Sequence, residues 1–265
     1  MVSWPSSAEP AERVQADARG SGDREREPDR PRPEPGPHPW SRRVRRREVV
    51  GVTVLLVCFG VVTADVLLGG PLRAADHQID RWVVAYVPEP VVMLFRRWLV
   101  LPGQRLVDVP PMAVAAGVLA WRRRQWRPLL VPLAVMVLLA LVVPGLKLWT
   151  GRTNPISGHD WLWAGGTEYP SGHEINSIVV WGMFFAMAGQ LSWPVGRWLT
   201  HRRQVALTTA MAVWVACGVM IARTHWFSDV VASWCIAIPL LWGTLRFGFV
   251  KPPRPSPPVV EERTE

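Results

Sequence analysis

Lys147, Arg152, Ser171, Gly172 and His173 lie in or beside one polar, glycine-rich stretch at residues 151–173, and His225 and Asp229 lie in a second, at 223–229. Together these stretches hold an amine, a guanidinium, a Ser-Gly turn and two imidazoles. Arginine pairs bidentately with phosphate oxygens, and the free N–H groups at a helix N-terminus point at an anion. Pro170-Ser171-Gly172-His173 has that character because an apolar run starts immediately after it, which places Ser171 to serve as both N-cap and ligand. His225 and Asp229 are four residues apart. If the next helix begins there, they share a face, the carboxylate holds one ring nitrogen, and the other nitrogen is free to attack phosphorus. His173 is then placed to protonate the leaving oxygen as general acid.

The elements that must position these residues are apolar. The chain is 49% hydrophobic, carries 16 tryptophans and has a formal net charge of +9. Tryptophan collects where lipid headgroups meet acyl chains, and polar groups at the ends of membrane segments are costly unless they serve a function. No nucleic-acid-reading motif accompanies the basic excess, so nucleic acid is not an expected partner. Runs at 49–69, 105–121, 128–149, 172–191, 204–223 and 229–247 are predicted to span the bilayer, which takes ~20 residues. Arginine blocks around 42–47, 122–127 and 197–203 fall between them and belong in the cytoplasm by the positive-inside rule. Both termini are then cytoplasmic, and Lys147, the 151–173 loop and His225 share the outer face.

Residues 1–48 read as a disordered Pro/Arg-rich cytoplasmic tail, 49–247 as the membrane domain and 248–265 as a second tail. The long hydrophilic start argues against a cleaved signal peptide. Between 74 and 103, Asp76, Asp80 and Arg81 alternate with Ile79, Trp82 and Val83, which predicts a helix lying in the interface with its polar face in water. Trp149, Trp161, Trp163 and Trp226 are expected to anchor the outer rim. Glu168, Asn176 and the Ser157-Gly158-His159 turn read as caps or solvated loop, and His38, His77 and His201 as solvated. Cys58, Cys217 and Cys235 read as small buried hydrophobes. The predicted fold is all-α, a six-span transmembrane helical bundle with short interfacial helices on the outer face.

Lys147 with Pro155, then Pro170-Ser171-Gly172-His173, then His225 and Asp229 resemble the three motifs of the type 2 phosphatidic acid phosphatase (PAP2) superfamily, in its membrane lipid phosphate phosphatase branch. The resemblance covers roughly residues 49–247. It implies His225 as nucleophile through a phosphohistidine, His173 as acid, Asp229 as the group orienting His225, and no metal or other cofactor. Two positions depart from the family pattern. Asn154 stands where the first motif has arginine before its proline, and Gly218-Val219 stand where the third has Ser-Arg. Arg152 lies two residues from Asn154. Arg223 lies four after Val219, on the same face of a continuous helix. Both are expected to supply the missing charge, with Asn154 as a further phosphate contact. The resemblance thus implies a plasma-membrane lipid phosphatase with an extracytoplasmic site, acting on a phosphatidic acid or polyprenyl diphosphate type of substrate. Its partners are that lipid and the bilayer. The alternatives on the same residues are a phosphotransferase and a lipid-phosphate-binding member with impaired turnover. The sequence does not specify the lipid or the oligomeric state.

Overall fold

The computed structural model describes residues 44–191 and 194–248. These fall in one compact unit, residues 38–265, so most of each predicted tail lies outside the described residues. All regular structure among the described residues is helical. α1 (Arg46–Leu68) ends at Gly69, which takes the left-handed conformation that a helix terminus favours (φ 71°). α2 (Pro71–Tyr86) starts on a proline whose missing N–H costs nothing in a first turn. α3 (Glu89–Leu94) runs into a wide turn at Phe95–Leu99 and a tight one at Leu101–Gly103.

α4 (Arg105–Arg123) tolerates Pro110 and Pro111 inside it, and α5 (Arg127–Thr150) tolerates Pro132 and Pro144. α6 (Gly172–Ala188) is capped by Ser171, whose Oγ accepts the Glu174 N–H at 3.4 Å. The short α7 (Val195–Trp198) leads to α8 (His201–Ile221), capped by Thr200. α9 (Phe227–Gly243) continues as a wider turn over Thr244–Gly248.

Among the described residues, four stretches are long and apolar enough to cross a membrane: Arg46–Leu68, Arg127–Ser157, His201–Ile221 and Phe227–Gly248. Their exposed faces are hydrophobic: Val54, Leu56, Val57 and Val61 on α1, and Leu130, Leu133, Leu138 and Leu141 on α5, are all open. In water such surface would be unstable; in lipid it is solvated. α4 and α6 do not reach that length and apolarity. α4 carries Arg105, Asp108, Arg122 and Arg123. α6 is the central helix, packing against α4, α8 and α9, and twelve of its seventeen residues are buried. Its Ile175, Ile178, Val179 and Met183 meet Met112, Ala116 and Leu119 of α4 and Leu139 and Val143 of α5 in the main core. α1 packs against α9, with Val62 and Val66 beside Tyr169 and Ala232.

Two expectations are corrected. Cys58 and Cys217 are exposed on their helices, and only Cys235 is buried. The polar face of α2 is only partly exposed: Arg81 is exposed, Asp80 is part-buried and Asp76 is enclosed. Asp76 is 1% exposed and faces the protein interior, whereas Trp82, Val84 and Tyr86 point outward. α2 packs on α9 and α1.

Candidate active site

The C-terminal ends of α1, α5 and α8 meet the N-terminal ends of α6 and α9, and the loop between α5 and α6 lies over them. That loop is held by its own backbone. Gly151 ends α5 with φ 54°, a conformation that suits glycine, and a Cβ there would come within 2.8 Å of Trp163 Cα. The Trp163 N–H returns to Thr150 O at 2.7 Å, and the Ala164 and Gly166 N–H groups both reach Gly151 O at 3.0 Å. Gly166 lies so close to Arg152 O that a Cβ would overlap it at 2.0 Å. The return strand then anchors below. Thr150 Oγ1 donates to Tyr169 O at 3.3 Å, Tyr169 and Thr63 share a hydroxyl bond of 2.7 Å, and Ser171 N donates to Asp229 O at 3.4 Å.

This frame brings the two histidines together: their ring centroids lie 5.9 Å apart. Lys147 stands beside them. A Cβ built on Gly172 would lie 3.7 Å from Lys147 Cε, so glycine leaves the amine room at the mouth of α6. The ammonium donates to Thr167 O. Ser171 is fully buried; its Oγ caps α6 and its carbonyl accepts the Ser233 hydroxyl at 3.0 Å.

His225 precedes α9 instead of sharing its first turn with Asp229, because Trp226 is the N-cap. Its Nδ1 lies 3.0 Å from Glu168 O, 3.3 Å from Glu168 Oε2 and 3.6 Å from Asp229 Oδ2. Hydrogen-bond distance is thus met by the Glu168 carbonyl, with both carboxylates just beyond. Nε2 is left free of these partners. Asp229 Oδ2 instead accepts the Trp226 N–H at 2.9 Å, closing the helix start. Glu168, read as solvated or capping, is therefore the nearer orienting group.

The arginines are where the sequence reading fails. Arg152 is 0% exposed. Its Nε and one NH2 nitrogen bind Asp160 at 2.8 and 2.9 Å, and that same nitrogen binds Asp76 Oδ2 at 2.7 Å. The other terminal nitrogen binds Ser228 Oγ and Asp229 Oδ1, both at 2.7 Å. A guanidinium so saturated has no fork left for phosphate. Arg73 adds a second cation, 2.7 Å from Asp160 Oδ2. Burial pushes the Asp160 carboxyl up, but hydrogen bonding and charge from Arg152, then from Arg73, outweigh it and leave its pKa below the ordinary value. At Asp76 burial prevails over Arg152 and Ser228, and the pKa is raised. The Arg152 guanidinium lies 5.4 Å over the Trp226 ring, and Trp226, 3% exposed, donates its indole N–H to Thr153 O at 2.7 Å. Trp226 is a wall of this cluster; Trp149, Trp161 and Trp163 remain exposed.

Arg223 does not continue a helix from Val219. α8 stops at Ile221, and Arg223 has φ 58°. It makes a bidentate pair with Asp80 at 2.7 and 3.0 Å and donates to Pro155 O at 3.1 Å. Asn154 caps the Pro155–Ser157 turn by accepting the Ser157 N–H at 3.0 Å. Val219 is fully buried in an apolar cluster with Val215 and Ala222. His77, read as solvated, lies 3.7 Å from Asp160 Oδ2 and edge-on to Trp226 at 5.2 Å. His159, in its expected loop, stacks on Trp161 at 4.4 Å.

The geometry brings Lys147, Gly172, His173 and His225 together and sets Asp229 behind His225. It commits Arg152 to carboxylates. No sequence spacing links Asp76 or Arg73 to this place; their only signal was that acids and a base recurred on one face of an apolar segment.

No curated protein matches the chain. The fold is shared with a solved structure described as the first transmembrane PAP2 type phosphatidylglycerolphosphate phosphatase from Bacillus subtilis. The TM-score is 0.59 at 18% identity, over 73% of this chain and 93% of that one. The family model of the PAP2 superfamily matches residues 128–252. Those residues hold Lys147, the Pro170–His173 turn, His225 and Asp229, so the match to the PAP2 superfamily includes all of them.

Proposed function

We propose that this protein is an integral membrane phosphatase that hydrolyses a lipid phosphate or diphosphate through a phosphohistidine. The observation that carries the reading is the pair of imidazoles 5.9 Å apart with Lys147 beside them. That spacing leaves room for a phosphoryl group between the rings. His225 Nε2 attacks phosphorus while Nδ1–H is held by Glu168 O, and the lipid oxygen leaves with a proton from His173. Water, deprotonated by His173, then attacks phosphorus. The N–P bond breaks, phosphate departs and both imidazoles return to their starting state. Lys147 offsets phosphate charge without geometry of its own, as a point cation does.

The six-span arrangement goes with this reading: α4 and α6 cross inside the bundle, where α6 is shielded by its neighbours and lipid-facing apolarity is not required of it. The arginine-rich connections then lie in the cytoplasm and the site opens on the extracytoplasmic face of the plasma membrane. The lipid chain stays in the bilayer and only the headgroup reaches the histidines. Phosphatidic acid, phosphatidylglycerophosphate and polyprenyl diphosphate all present that chemistry.

The test is phosphate release by the purified protein in detergent across those three lipids, with His225→Ala as control. Release from at least one lipid by the parent and none by the variant is the expected result. Equal release by both, or none from any lipid, overturns the reading. The engagement of both Arg152 and Arg223 with carboxylates favours one second reading, a lipid-phosphate binder with impaired turnover. It would be supported by saturable binding of the same lipids without release.

A further inference from the structure

Asp76 sits on α2, outside the residues that match the family, and yet it touches the parts of the site that set Asp229. Its Oδ2 accepts from Arg152 and, at 2.5 Å, from Ser228 Oγ; its Oδ1 accepts the Ser228 N–H at 2.7 Å. Arg152 in turn donates to Asp229 Oδ1, and the other oxygen of Asp229 faces His225 Nδ1. All three side chains are 0–1% exposed. One carboxylate therefore fixes both the guanidinium that holds Asp229 and the first turn of the helix that carries it.

We infer that Asp76 is a positioning residue for the nucleophile, acting through Arg152 and Asp229. The inference rests on the reading of His225 as that nucleophile. Two guanidiniums, Arg73 and Arg152, face three carboxylates, Asp76, Asp160 and Asp229, so this cluster carries one net negative charge behind the imidazole, separate from the Glu168 carboxylate and the Lys147 ammonium that stand at its other sides. As a bond forms at Nε2, the ring becomes cationic, and a neighbouring negative charge stabilises that state. Without the charge on Asp76, Arg152 turns its full attraction onto Asp229 and Asp160. The field at the imidazole then becomes less negative and Nε2 a poorer nucleophile.

The test uses the full chain in detergent and the variants Asp76→Asn, Asp229→Asn and both together, with Gln78→Ala, on the exposed side of the same helix, as control. Asparagine removes the charge and keeps one acceptor for Ser228, while its amide nitrogen replaces the other oxygen. The first measurement is the rate at which diethyl pyrocarbonate acylates His225, followed by peptide mass spectrometry at pH 7. It needs no lipid. Asp76→Asn is expected to slow acylation at least three-fold, Asp229→Asn by a similar factor, and the double variant no further, because the two act in series. A merely structural role would loosen the site and speed acylation of an imidazole that is only 4% exposed.

The second measurement is lipid phosphate release, where kcat should fall ten-fold or more with KM within two-fold. Unchanged or faster acylation in Asp76→Asn, or additive losses in the double variant, overturns the inference. Slower acylation in Asp76→Asn, with a parent protein that releases no phosphate, would uphold the inference and overturn the phosphatase reading alone. Asp76→Glu, which restores the charge, should recover most of the acylation rate if the side chain fits; if it unfolds the protein, the asparagine series decides.

Discussion

Replacing Arg152 with alanine separates two roles that the same residue could hold. In the structure its five bonds run to Asp76, Asp160, Asp229 and Ser228, all within 2.9 Å, and its side chain is fully buried. Removing it leaves three carboxylates without their shared cation; Asp160 keeps Arg73, while Asp76 and Asp229 keep only neutral donors. Removing one partner from a buried ion pair costs about 3–5 kcal/mol, because the remaining charge stays desolvated. For a chain of this size each kcal/mol moves the melting midpoint by about 2–4 °C, so the expected drop is roughly 6–20 °C. Arg152→Lys restores one charge but a single ammonium cannot reach all three acids, and about half of the loss should remain. The assay is a thermal melt in detergent, followed by the fluorescence of the chain's tryptophans, at one scan rate because such unfolding is seldom reversible. A midpoint for Arg152→Ala within ~3 °C of the parent, together with lost phosphate release, would refute the reasoning. Arg152 would then be a phosphate ligand and not a structural cation.

Other outcomes follow from the same geometry. On the proposed mechanism His173→Gln removes the proton donor but not the nucleophile, so release from lipid phosphate should fall by about 10²–10⁴. A nitrophenyl phosphate, whose leaving group needs no proton, should lose far less, which stopped-flow release at 405 nm or an equivalent absorbance assay would read. The Asp160 carboxylate, held below its ordinary pKa, contributes stability that is fully present above the unfolded value. That contribution is lost as pH falls through the lower folded value. Melting midpoints should therefore be flat in this contribution near neutrality and decline below about pH 4. Asp160→Asn should melt lower at neutral pH and show a shallower acid decline; an identical acid limb would sink the assignment.

The helices and the motif positions that meet at the candidate site were legible because local rules govern both. Runs of apolar residues near bilayer length became α1, α4, α5, α6, α8 and α9 within a few residues of the expected ends, and Ser171 capped α6 where a Ser-Gly pair preceded the apolar run. The histidines were legible through short spacings. What was not legible depended on contacts between residues far apart in the chain. Nothing local distinguishes an arginine that binds phosphate from one enclosed by Asp76 and Asp229, which lie 76 and 77 residues away from it. Nor could alternation on α2 say which of its faces meets protein, since in a membrane protein the polar face can be the buried one. Arg223 was misplaced for a different reason. Four residues after Val219 is the same face only on a helix continuing past Ile221, and the chain turns left-handed at Arg223.

The shared guanidinium also bears on how such a chain is made. Arg152 collects carboxylates from α2, from its own loop and from α9, and His225 enters just ahead of that last helix. During synthesis α2 and the loop leave the ribosome long before Asp229 does. Until then Arg152 has only some of its partners, and Ser228, which Asp76 caps, is still missing. The cluster is therefore complete only once α9 is in place. A nascent chain stalled before that point carries Lys147 and His173 but lacks both His225 and the α9 partners of Arg152, so the histidine pair and the ion cluster are completed by the same segment.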